Sequence, residues 1–206
     1  AAVTCYLTAI IIAVYLALSV GWPVWIFVAI GLFSSIFYST PPVRYGYRGF
    51  GELSLLVNFG PVITLGAFYV QTRALAWEPF VISLVPGFLM WSMIVINEVP
   101  DYDEDRRAGK RNLVVRMGRQ ASLLLYGGGL AGAYMTLLLA AAFRISSAGV
   151  LLGLLTLPLA FGSFRILREN YGDKLKLAPA NLAMIKVHAW TLSALITGYL
   201  LGAMVS

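Results

Sequence analysis

The sequence is poor in the residues from which metal-bound and disulfide-bonded sites are commonly built. It has one cysteine, Cys5, which lies inside an apolar run. A lone cysteine excludes a disulfide framework and the usual zinc-binding motifs within this sequence. Nothing in it supports serine–histidine–aspartate chemistry or a glycine-rich phosphate-binding loop either.

Charged residues are scarce as well. Only 12% of the 206 residues are charged and 60% are hydrophobic, whereas an average soluble domain has about a quarter charged residues. The mean hydropathy of +0.82 indicates more apolar side chains than one core of this size could hide from water. We therefore expect lipid to cover much of the surface.

The net charge of +6 raises the question of nucleic acid as a partner. The distribution of charge answers it, because no charged residue precedes Arg44 and the other basic residues cluster in short segments between long apolar runs. This pattern is typical of a membrane protein with basic loops, so we expect no nucleic-acid partner.

Seven segments are long and apolar enough to cross a bilayer as helices, which takes about 20 residues at 1.5 Å rise per residue. They lack the alternation of membrane-barrel strands and exceed their length. The sequence therefore predicts an all-α membrane protein with seven transmembrane helices. The predicted spans are Ala1–Val20, Pro23–Thr40, Ser54–Gln71, Pro79–Asn97, Gln120–Ala142, Ser147–Phe164 and Val187–Met204.

If these spans alternate in direction, 13 of the 15 basic residues fall on the side of the amino terminus and two, Arg73 and Arg144, on the other. The positive-inside rule makes the basic side cytoplasmic. We therefore predict a multi-pass membrane protein whose longer polar loops face the cytoplasm. The basic residues of that side are Arg44, Arg48, Arg106, Arg107, Lys110, Arg111, Arg116, Arg119, Arg165, Arg168, Lys174, Lys176 and Lys186.

Three spans contain internal helix breakers: the pairs Gly60-Pro61 and Pro86-Gly87, and the single Pro158. A freed backbone carbonyl needs a partner in lipid, so we expect these breakers to lie against neighbouring helices or a watered cavity. Packing against a neighbour is the favoured interpretation, since proline and glycine are common in membrane helices.

An acidic cluster follows the fourth span and holds five of the nine acidic residues, between Glu98 and Asp105. Asn97, Asp101 and Asp105 recur at a spacing of four and would share one face of a continuous helix. Like charges at that spacing repel unless a divalent cation lies between them, and such oxygen ligands suit Mg²⁺. The spacing indicates one half of a metal–diphosphate clamp.

The alternative is that these acids pair with the basic run that follows them, forming a solvated interfacial loop. The register of the asparagine with two aspartates favours the metal, whereas Asp103 and Glu104 lie off that face. We expect the latter two to contact solvent or neighbouring basic residues. The basic run comprises Arg106, Arg107, Lys110 and Arg111.

A second polar segment, Tyr38–Gly49, faces the same side as the acidic cluster. Arg44 or Arg48 could bind phosphate oxygens there, with Tyr38 donating a hydroxyl hydrogen bond. Anchoring of the chain at the membrane interface by the same side chains explains this segment equally well. Within the spans, we expect the polar side chain of Asn58 to face protein or a cavity.

The string NEVPDYDEDRRAGKRNLVVRMG, from Asn97 to Gly118, resembles the second aspartate-rich motif of the UbiA superfamily of membrane prenyltransferases. The strings YSTPPVRYGYRGFGEL and FGPVITLGAFYVQT, from Tyr38 to Thr72, resemble the menaquinone-pathway branch of that superfamily, the 1,4-dihydroxy-2-naphthoate polyprenyltransferases. The similarity covers nearly the whole chain in the order of its spans.

The resemblance implies one transmembrane domain over residues 1–206 that belongs to a bundle of nine helices around a central cavity. The family's first two helices and its first aspartate-rich motif have no counterpart here, so we expect the chain to be incomplete at its amino terminus. The resemblance further implies that Asn97, Asp101 and Asp105 hold Mg²⁺, with the two aspartates catalytic. It places Tyr38 and Arg44 in the region of a diphosphate-binding motif. We further expect Lys110 to bind the diphosphate and Asn58 to line the acceptor and tail cavity.

The implied reaction is the transfer of a polyprenyl group from its diphosphate to an aromatic acceptor in the membrane, with Mg²⁺ as the cofactor. A naphthoate-type quinone precursor is the expected acceptor, and chlorophyllide, hydroxybenzoate and homogentisate are alternatives within the superfamily. A different class of function is a non-catalytic subunit that retains family residues inside a larger membrane complex with partner subunits. The expected incompleteness of the chain motivates this alternative.

Overall fold

The computed structural model describes residues 2–205 and, within that range, contains helices and no β-strand. This confirms the predicted all-α class. The helices are α1 (Ala2–Val20), α2 (Val24–Phe37), α3 (Gly51–Val57), α4 (Ile63–Thr72), α5 (Trp77–Glu98), α6 (Tyr102–Arg107), α7 (Leu113–Met117), α8 (Ser122–Ala142), α9 (Leu157–Asn170) and α10 (Ala178–Val205).

Shorter helical turns connect several of these helices. The π-helical turn Asn58–Val62 joins α3 to α4, so that residues 51–72 form one continuous rod. The 3-10 segment Ala148–Thr156 likewise continues into α9. Further 3-10 turns are formed by Tyr45–Arg48, Arg119–Ala121 and Lys174–Lys176.

Among the described residues, six helical segments are long and apolar enough to cross a membrane, together with one shorter apolar helix. The shorter one is α2, which has 14 residues because the chain turns away at Tyr38. The predicted second span, Pro23–Thr40, was therefore too long. The six long segments are Val3–Val20, Gly51–Thr72, Trp77–Glu98, Arg119–Ala142, Ala148–Asn170 and Lys174–Gly202.

The polar connection predicted between the last two spans, from Arg165 to Lys186, is also corrected. The helix α9 continues to Asn170 and α10 already begins at Ala178, so most of this stretch is helical. Basic side chains at the end of a membrane helix can extend to the interface, so their presence does not require the helix to end.

The buried core lies where α5, α8 and α10 pack together. Val85 and Leu89 of α5, Tyr126 and Leu137 of α8, and Met184 of α10 are all completely buried. By contrast, most of α1 is exposed although it is strongly apolar. Such a surface is stable in lipid and not in water, as composition predicted.

The π-helical turn crosses α5 at very close range. A Cβ atom added to Gly60 would lie 2.6 Å from the carbonyl oxygen of Ser83, and one added to Gly87 would lie 2.7 Å from that of Leu56. Only glycines permit this separation of two helix backbones. Both helix-breaking pairs therefore lie against a neighbouring helix, as the packing interpretation predicted.

Contacts between distant segments define the two ends of the bundle. At one end, the backbone N–H of Arg111 donates to the carbonyl oxygen of Tyr47 at 2.9 Å, and the Lys174 ammonium lies 2.9 Å from Glu104. At the opposite end, Ser146 Oγ donates to Glu78 Oε1 at 2.7 Å. We call the end formed by residues 38–50, 99–121 and 171–177 the inner end.

Candidate active site

The acidic cluster does not lie on one continuous helix. The helix α5 ends at Glu98, and α6 begins at Tyr102 after a turn that includes Pro100, which has no N–H to continue the helical hydrogen bonds. The prediction that Asn97, Asp101 and Asp105 share one helix face is therefore wrong. The three residues instead come from the last turn of α5, the start of α6 and the body of α6.

Asp105 is the most enclosed of the three predicted metal ligands. Its Oδ2 accepts hydrogen bonds from Lys110 Nζ at 2.8 Å and from Asn112 Nδ2 at 2.9 Å. Burial acts to lower the pKa of Lys110, but the hydrogen bond to Asp105 and the nearby Glu98 carboxyl raise it above its ordinary value. Lys110 is therefore held as a cation at the inner end.

Asp101 and Asn97 are more accessible. Both side chains are exposed, and the closest cation to Asp101 is the Lys174 ammonium, 3.4 Å from Oδ1. Among the described residues, no group of three histidine, cysteine or acidic side chains could hold a metal alone. Mg²⁺ is commonly bound through one or two carboxylates together with substrate phosphates and water. The exposed oxygens of Asp101 and Asn97 fit that manner of binding.

Asp103 and Glu104 pair with basic residues, in agreement with their exclusion from the metal-binding set. Asp103 Oδ2 accepts from Arg119 Nη2 at 2.6 Å, and Glu104 Oε1 accepts from Lys174 Nζ at 2.9 Å. The latter hydrogen bond lowers the pKa of Glu104. Of the basic run that directly follows the acidic cluster, only Lys110 takes part in the ion pairs recorded with the cluster. That run therefore neutralises the cluster only in part.

Tyr38 follows α2 and packs against the turn that precedes α3. A Cβ on Gly46 would lie 2.9 Å from the Tyr38 ring, and one on Gly51 would lie 3.0 Å from its hydroxyl oxygen. Burial, with smaller contributions from Glu98 and Glu52, raises the pKa of Tyr38 to about 12. Its phenol is therefore protonated at neutral pH and can donate a hydrogen bond.

The two arginines of the segment Tyr38–Gly49 differ in their contacts. Arg44 has a left-handed backbone with φ of 42°, is exposed, and places its guanidinium 5.6 Å from the centre of the Tyr47 ring. Arg48 donates from Nη2 to the carbonyl oxygen of Pro42 at 2.9 Å. Arg44 is thus the better placed of the two to contact a ligand.

An apolar groove of about 900 Å³ lies between α1, α2 and the rod formed by residues 51–72. Tyr38 lines the inner end of this groove, and Phe27, Asn58 and Phe59 line its course. Asn58 donates from Nδ2 to the carbonyl oxygen and hydroxyl of Ser54 at 2.8 and 3.0 Å. Asn58 thus lines the groove while its amide group is hydrogen-bonded within its own helix.

Tyr38 therefore joins the two parts of the site. It lines the groove, and its pKa is raised mainly by burial, with smaller contributions from the carboxyl groups of Glu98, Glu52 and Asp105 at the inner end. The groove lining does not include the other predicted polar site residues, which are Arg44, Asn97, Asp101, Asp105 and Lys110. The apolar groove thus ends at a polar region of the inner end that carries cationic side chains. This arrangement suits a molecule with a long apolar tail and an anionic head.

The sequence model of the UbiA prenyltransferase family matches residues 1–202, almost the entire chain. The chain belongs to this family. It is 35% identical over 130 residues to a 1,4-dihydroxy-2-naphthoate octaprenyltransferase of Mycobacterium tuberculosis, covering 63% of this chain and 44% of the relative.

Two further relatives of this UbiA-family chain show the same partial coverage. It is 28% identical over 134 residues to a protein of Bacillus subtilis with the same name, covering 65% of this chain and 43% of that relative. It is 31% identical over 156 residues to the human UbiA prenyltransferase domain-containing protein 1, covering 75% and 45%. The chain thus spans less than half the length of these relatives.

The structure also shows one acidic residue of this UbiA-family chain that the sequence did not single out. Glu52, in the first turn of α3, is completely buried, and its carboxyl group accepts a hydrogen bond from Leu113, which follows the acidic cluster in the sequence. Its neighbour Glu98 is 3% exposed. An acid at the start of an apolar run is a weak signal that could have identified Glu52, because burying a lone charge is costly.

Proposed function

We propose that this protein transfers a polyprenyl group from its diphosphate to an aromatic acceptor of the naphthoate type. The observation that carries the proposal is the apolar groove that ends at Tyr38, near the acidic residues Glu98 and Asp105, in a chain of the UbiA family. Asp105 in turn binds Lys110 at 2.8 Å. The names of the Mycobacterium and Bacillus relatives support the naphthoate acceptor.

The diphosphate is bound at the inner end in this proposal. The Lys110 ammonium and the exposed Arg44 guanidinium attract the phosphate oxygens, and the protonated Tyr38 hydroxyl donates to one of them. Asn97, Asp101 and Asp105 would hold Mg²⁺ together with the diphosphate. When bound there, Mg²⁺ would stabilise the negative charge of the leaving group as a Lewis acid.

The groove binds the apolar tail and keeps water from the reacting carbon. The bond between the first prenyl carbon and the diphosphate oxygen breaks, and its electron pair leaves with diphosphate. A bond forms between that carbon and a ring carbon of the acceptor, which then loses a proton. Aromatic rings that line the groove near Tyr38, such as Tyr45, stabilise the allylic cation in a dry cavity, and the Asn58 amide contacts the acceptor or the tail.

The orientation in the membrane is part of the proposal. The positive-inside rule places the inner end, with its basic residues, in the cytoplasm. The donor, the acceptor and the bilayer are then the partners that the reaction requires. The alternative of a non-catalytic subunit in a larger complex gains no support from the relatives, which are named for transferases.

A direct test uses the full-length protein in detergent or in native membranes. It is incubated with a polyprenyl diphosphate, Mg²⁺ and 1,4-dihydroxy-2-naphthoate, and the products are identified by mass spectrometry. We expect one prenylated naphthoate per diphosphate released, with loss of product after chelation by EDTA. Product with hydroxybenzoate and none with naphthoate would change the acceptor class, and no product with any of these acceptors would refute the proposal.

A further inference from the structure

Glu52 is a fully buried carboxylate that no step of the proposed reaction uses. It lies in the first turn of α3, with 0% of the residue exposed. A buried charge carries a large desolvation cost unless its hydrogen bonds compensate. Its Oε1 accepts a hydrogen bond from the backbone N–H of Leu113 at 2.5 Å, whereas Oε2 has no hydrogen-bond partner among the described residues.

The hydrogen bond from Leu113 connects Glu52 to the short helix that follows Lys110. Leu113 is the first residue of α7, whose amino-terminal N–H groups have no partners within the helix. Glu52 satisfies one of them, and the Asn112 side chain satisfies another by accepting from Val115 at 2.8 Å. Glu52 therefore fixes the position of the peptide that carries Asn112.

Asn112 is linked to Lys110 because both side chains donate to the same carboxylate oxygen. Asn112 Nδ2 and Lys110 Nζ both donate to Asp105 Oδ2, at 2.9 and 2.8 Å. On its other side, Lys110 Nζ lies 3.7 Å from Glu98 Oε1. The ammonium is thus held by a chain of contacts that begins at the Glu52 carboxylate.

Two further hydrogen bonds join the same pair of segments. The N–H of Arg111 donates to the carbonyl oxygen of Tyr47 at 2.9 Å, and Arg116 Nη2 donates to that of Arg48 at 2.6 Å. Both are made on the exposed side of the segments, whereas Glu52 makes the buried contact. Removing Glu52 would therefore loosen the segment around Lys110 without separating it completely.

We propose that Glu52 is a positioning residue, which holds the Lys110 ammonium where it meets the diphosphate of the prenyl donor. The inference rests on the proposed role of Lys110 in diphosphate binding. Glu52 acts through Leu113, Asn112 and Asp105 and does not touch the reacting atoms. Its loss weakens donor binding and leaves the chemical step nearly unchanged.

The test compares three substitutions of Glu52 in the full-length protein. We expect Glu52→Ala to raise KM for the prenyl diphosphate about 10-fold, with kcat changed less than about 3-fold, because one charge-assisted hydrogen bond is lost. Glu52→Gln retains an oxygen that can accept from Leu113, so KM returns to within about 3-fold of the unsubstituted value. Glu52→Asp withdraws the carboxylate by one methylene and should give an intermediate KM. If the Glu52→Ala protein does not fold, Glu52→Asp takes its place in the comparison.

A double-substitution cycle shows whether Glu52 acts through Lys110. If it does, adding Glu52→Ala to Lys110→Ala raises KM by less than about 3-fold beyond Lys110→Ala alone. If the two substitutions raised KM independently, so that the fold-changes multiplied in the double variant, the inference would be overturned. Competition by inorganic diphosphate gives a second measure of binding and should weaken in parallel with the rise in KM.

The matched control is Glu169→Ala, which removes an exposed acid that pairs with Arg165 on the surface of α9, at 2.8 Å. Its KM should equal that of the unsubstituted protein. An equal rise in KM for Glu52→Gln and Glu52→Ala would contradict positioning through the Leu113 hydrogen bond. Absence of transfer by the unsubstituted protein would count against the proposed function, whereas active Glu52 variants with normal KM would count against this inference alone.

Discussion

The Tyr38 side chain packs against small residues, and its backbone carbonyl oxygen accepts from the N–H of Gly46 at 3.0 Å. Gly46 and Gly51 lie against its ring and hydroxyl, and the Tyr45 ring packs on it edge-to-face with 5.5 Å between the ring centres. The hydroxyl therefore keeps a defined direction at the inner end of the groove.

Replacing Gly46 by alanine tests this packing. The added Cβ would lie 2.9 Å from both the ring and the carbonyl oxygen of Tyr38, so Gly46→Ala should destabilise the protein by about 1–3 kcal/mol, as overpacking does. Thermal unfolding in detergent measures the effect. The control is Gly162→Ala in α9, where a Cβ meets nothing within 4 Å; it should unfold at the same or a higher temperature. Equal stability of both variants would contradict the packing of Tyr38.

Arg44 offers a second prediction at the residue scale. Its guanidinium rests on Tyr47 and is exposed, so Arg44→Ala should raise KM for the prenyl diphosphate about 10-fold by removing a charged hydrogen bond of about 1.5 kcal/mol. Steady-state kinetics with varied donor measures this. Arg168→Ala on α9, an arginine assigned no role, is the control. An unaltered KM for Arg44→Ala would transfer the assignment to Arg48.

The sequence shows that acidic residues are concentrated after α5, and this pattern led to the prediction of Asp101 and Asp105 as metal ligands. It does not show how these residues are arranged in space. Their contacts depend on partners that no local pattern specifies, such as Lys174, which lies 73 residues after Asp101. Glu52 was not predicted for the same reason, since its hydrogen-bond donor is 61 residues away.

Among the elements, the crossing of the π-helical turn over α5 determines where the inner end of α3 lies. Because the two backbones meet at Gly60 and Gly87, α3 runs close beside α5 and brings Glu52 near Glu98. The site is thus positioned by helix packing in the middle of the bundle, away from the polar residues themselves.

Gly60→Ala should separate these two helices. Its Cβ would lie 2.6 Å from the backbone oxygen of Ser83, which cannot move aside as a flexible side chain could. We expect a loss of at least about 1–3 kcal/mol of stability, seen as a lower unfolding temperature. The control is Gly128→Ala in α8, where the added carbon meets nothing within 4 Å. A Gly60→Ala protein as stable as this control would show that the crossing is looser than the structure indicates.

The apolar spans were predictable because the thickness of the bilayer sets their length and composition. Their ends were not, because charge alone does not stop a helix. The basic stretch from Arg165 to Lys186 was predicted as a loop, yet only residues 171–177 separate α9 from α10. Conversely, Pro100 interrupts the acidic cluster, where a spacing of four suggested one helix.

For the whole molecule, the contacts at the two ends agree with seven helical passages of alternating direction. This arrangement places the acidic cluster, Tyr38 and Lys110 at one end and the segment around Arg73 at the other. The basic excess predicts that the first end is cytoplasmic.

Labelling of single cysteines in intact cells tests this orientation. In a Cys5→Ser background, Ala108→Cys at the inner end and Leu75→Cys at the opposite end each place a thiol at an exposed position. We expect a membrane-impermeant maleimide to label Leu75→Cys in intact cells and Ala108→Cys only after permeabilisation. The reverse labelling pattern would show that the inner end faces away from the cytoplasm. Labelling of both thiols in intact cells would contradict the alternating direction of the spans.

The most direct test of the account is the release of diphosphate by the Asp101→Ala variant of the full-length protein, measured at saturating Mg²⁺ and prenyl donor. If Asp101 holds Mg²⁺ at the groove mouth, release should fall at least about 100-fold, a loss of about 2.7 kcal/mol of transition-state stabilisation. The matched control, Asp103→Ala, removes an aspartate of the same cluster that pairs with Arg119 at 2.6 Å and should remain active. Unchanged release by Asp101→Ala would contradict the central claim that this acidic cluster acts on the diphosphate.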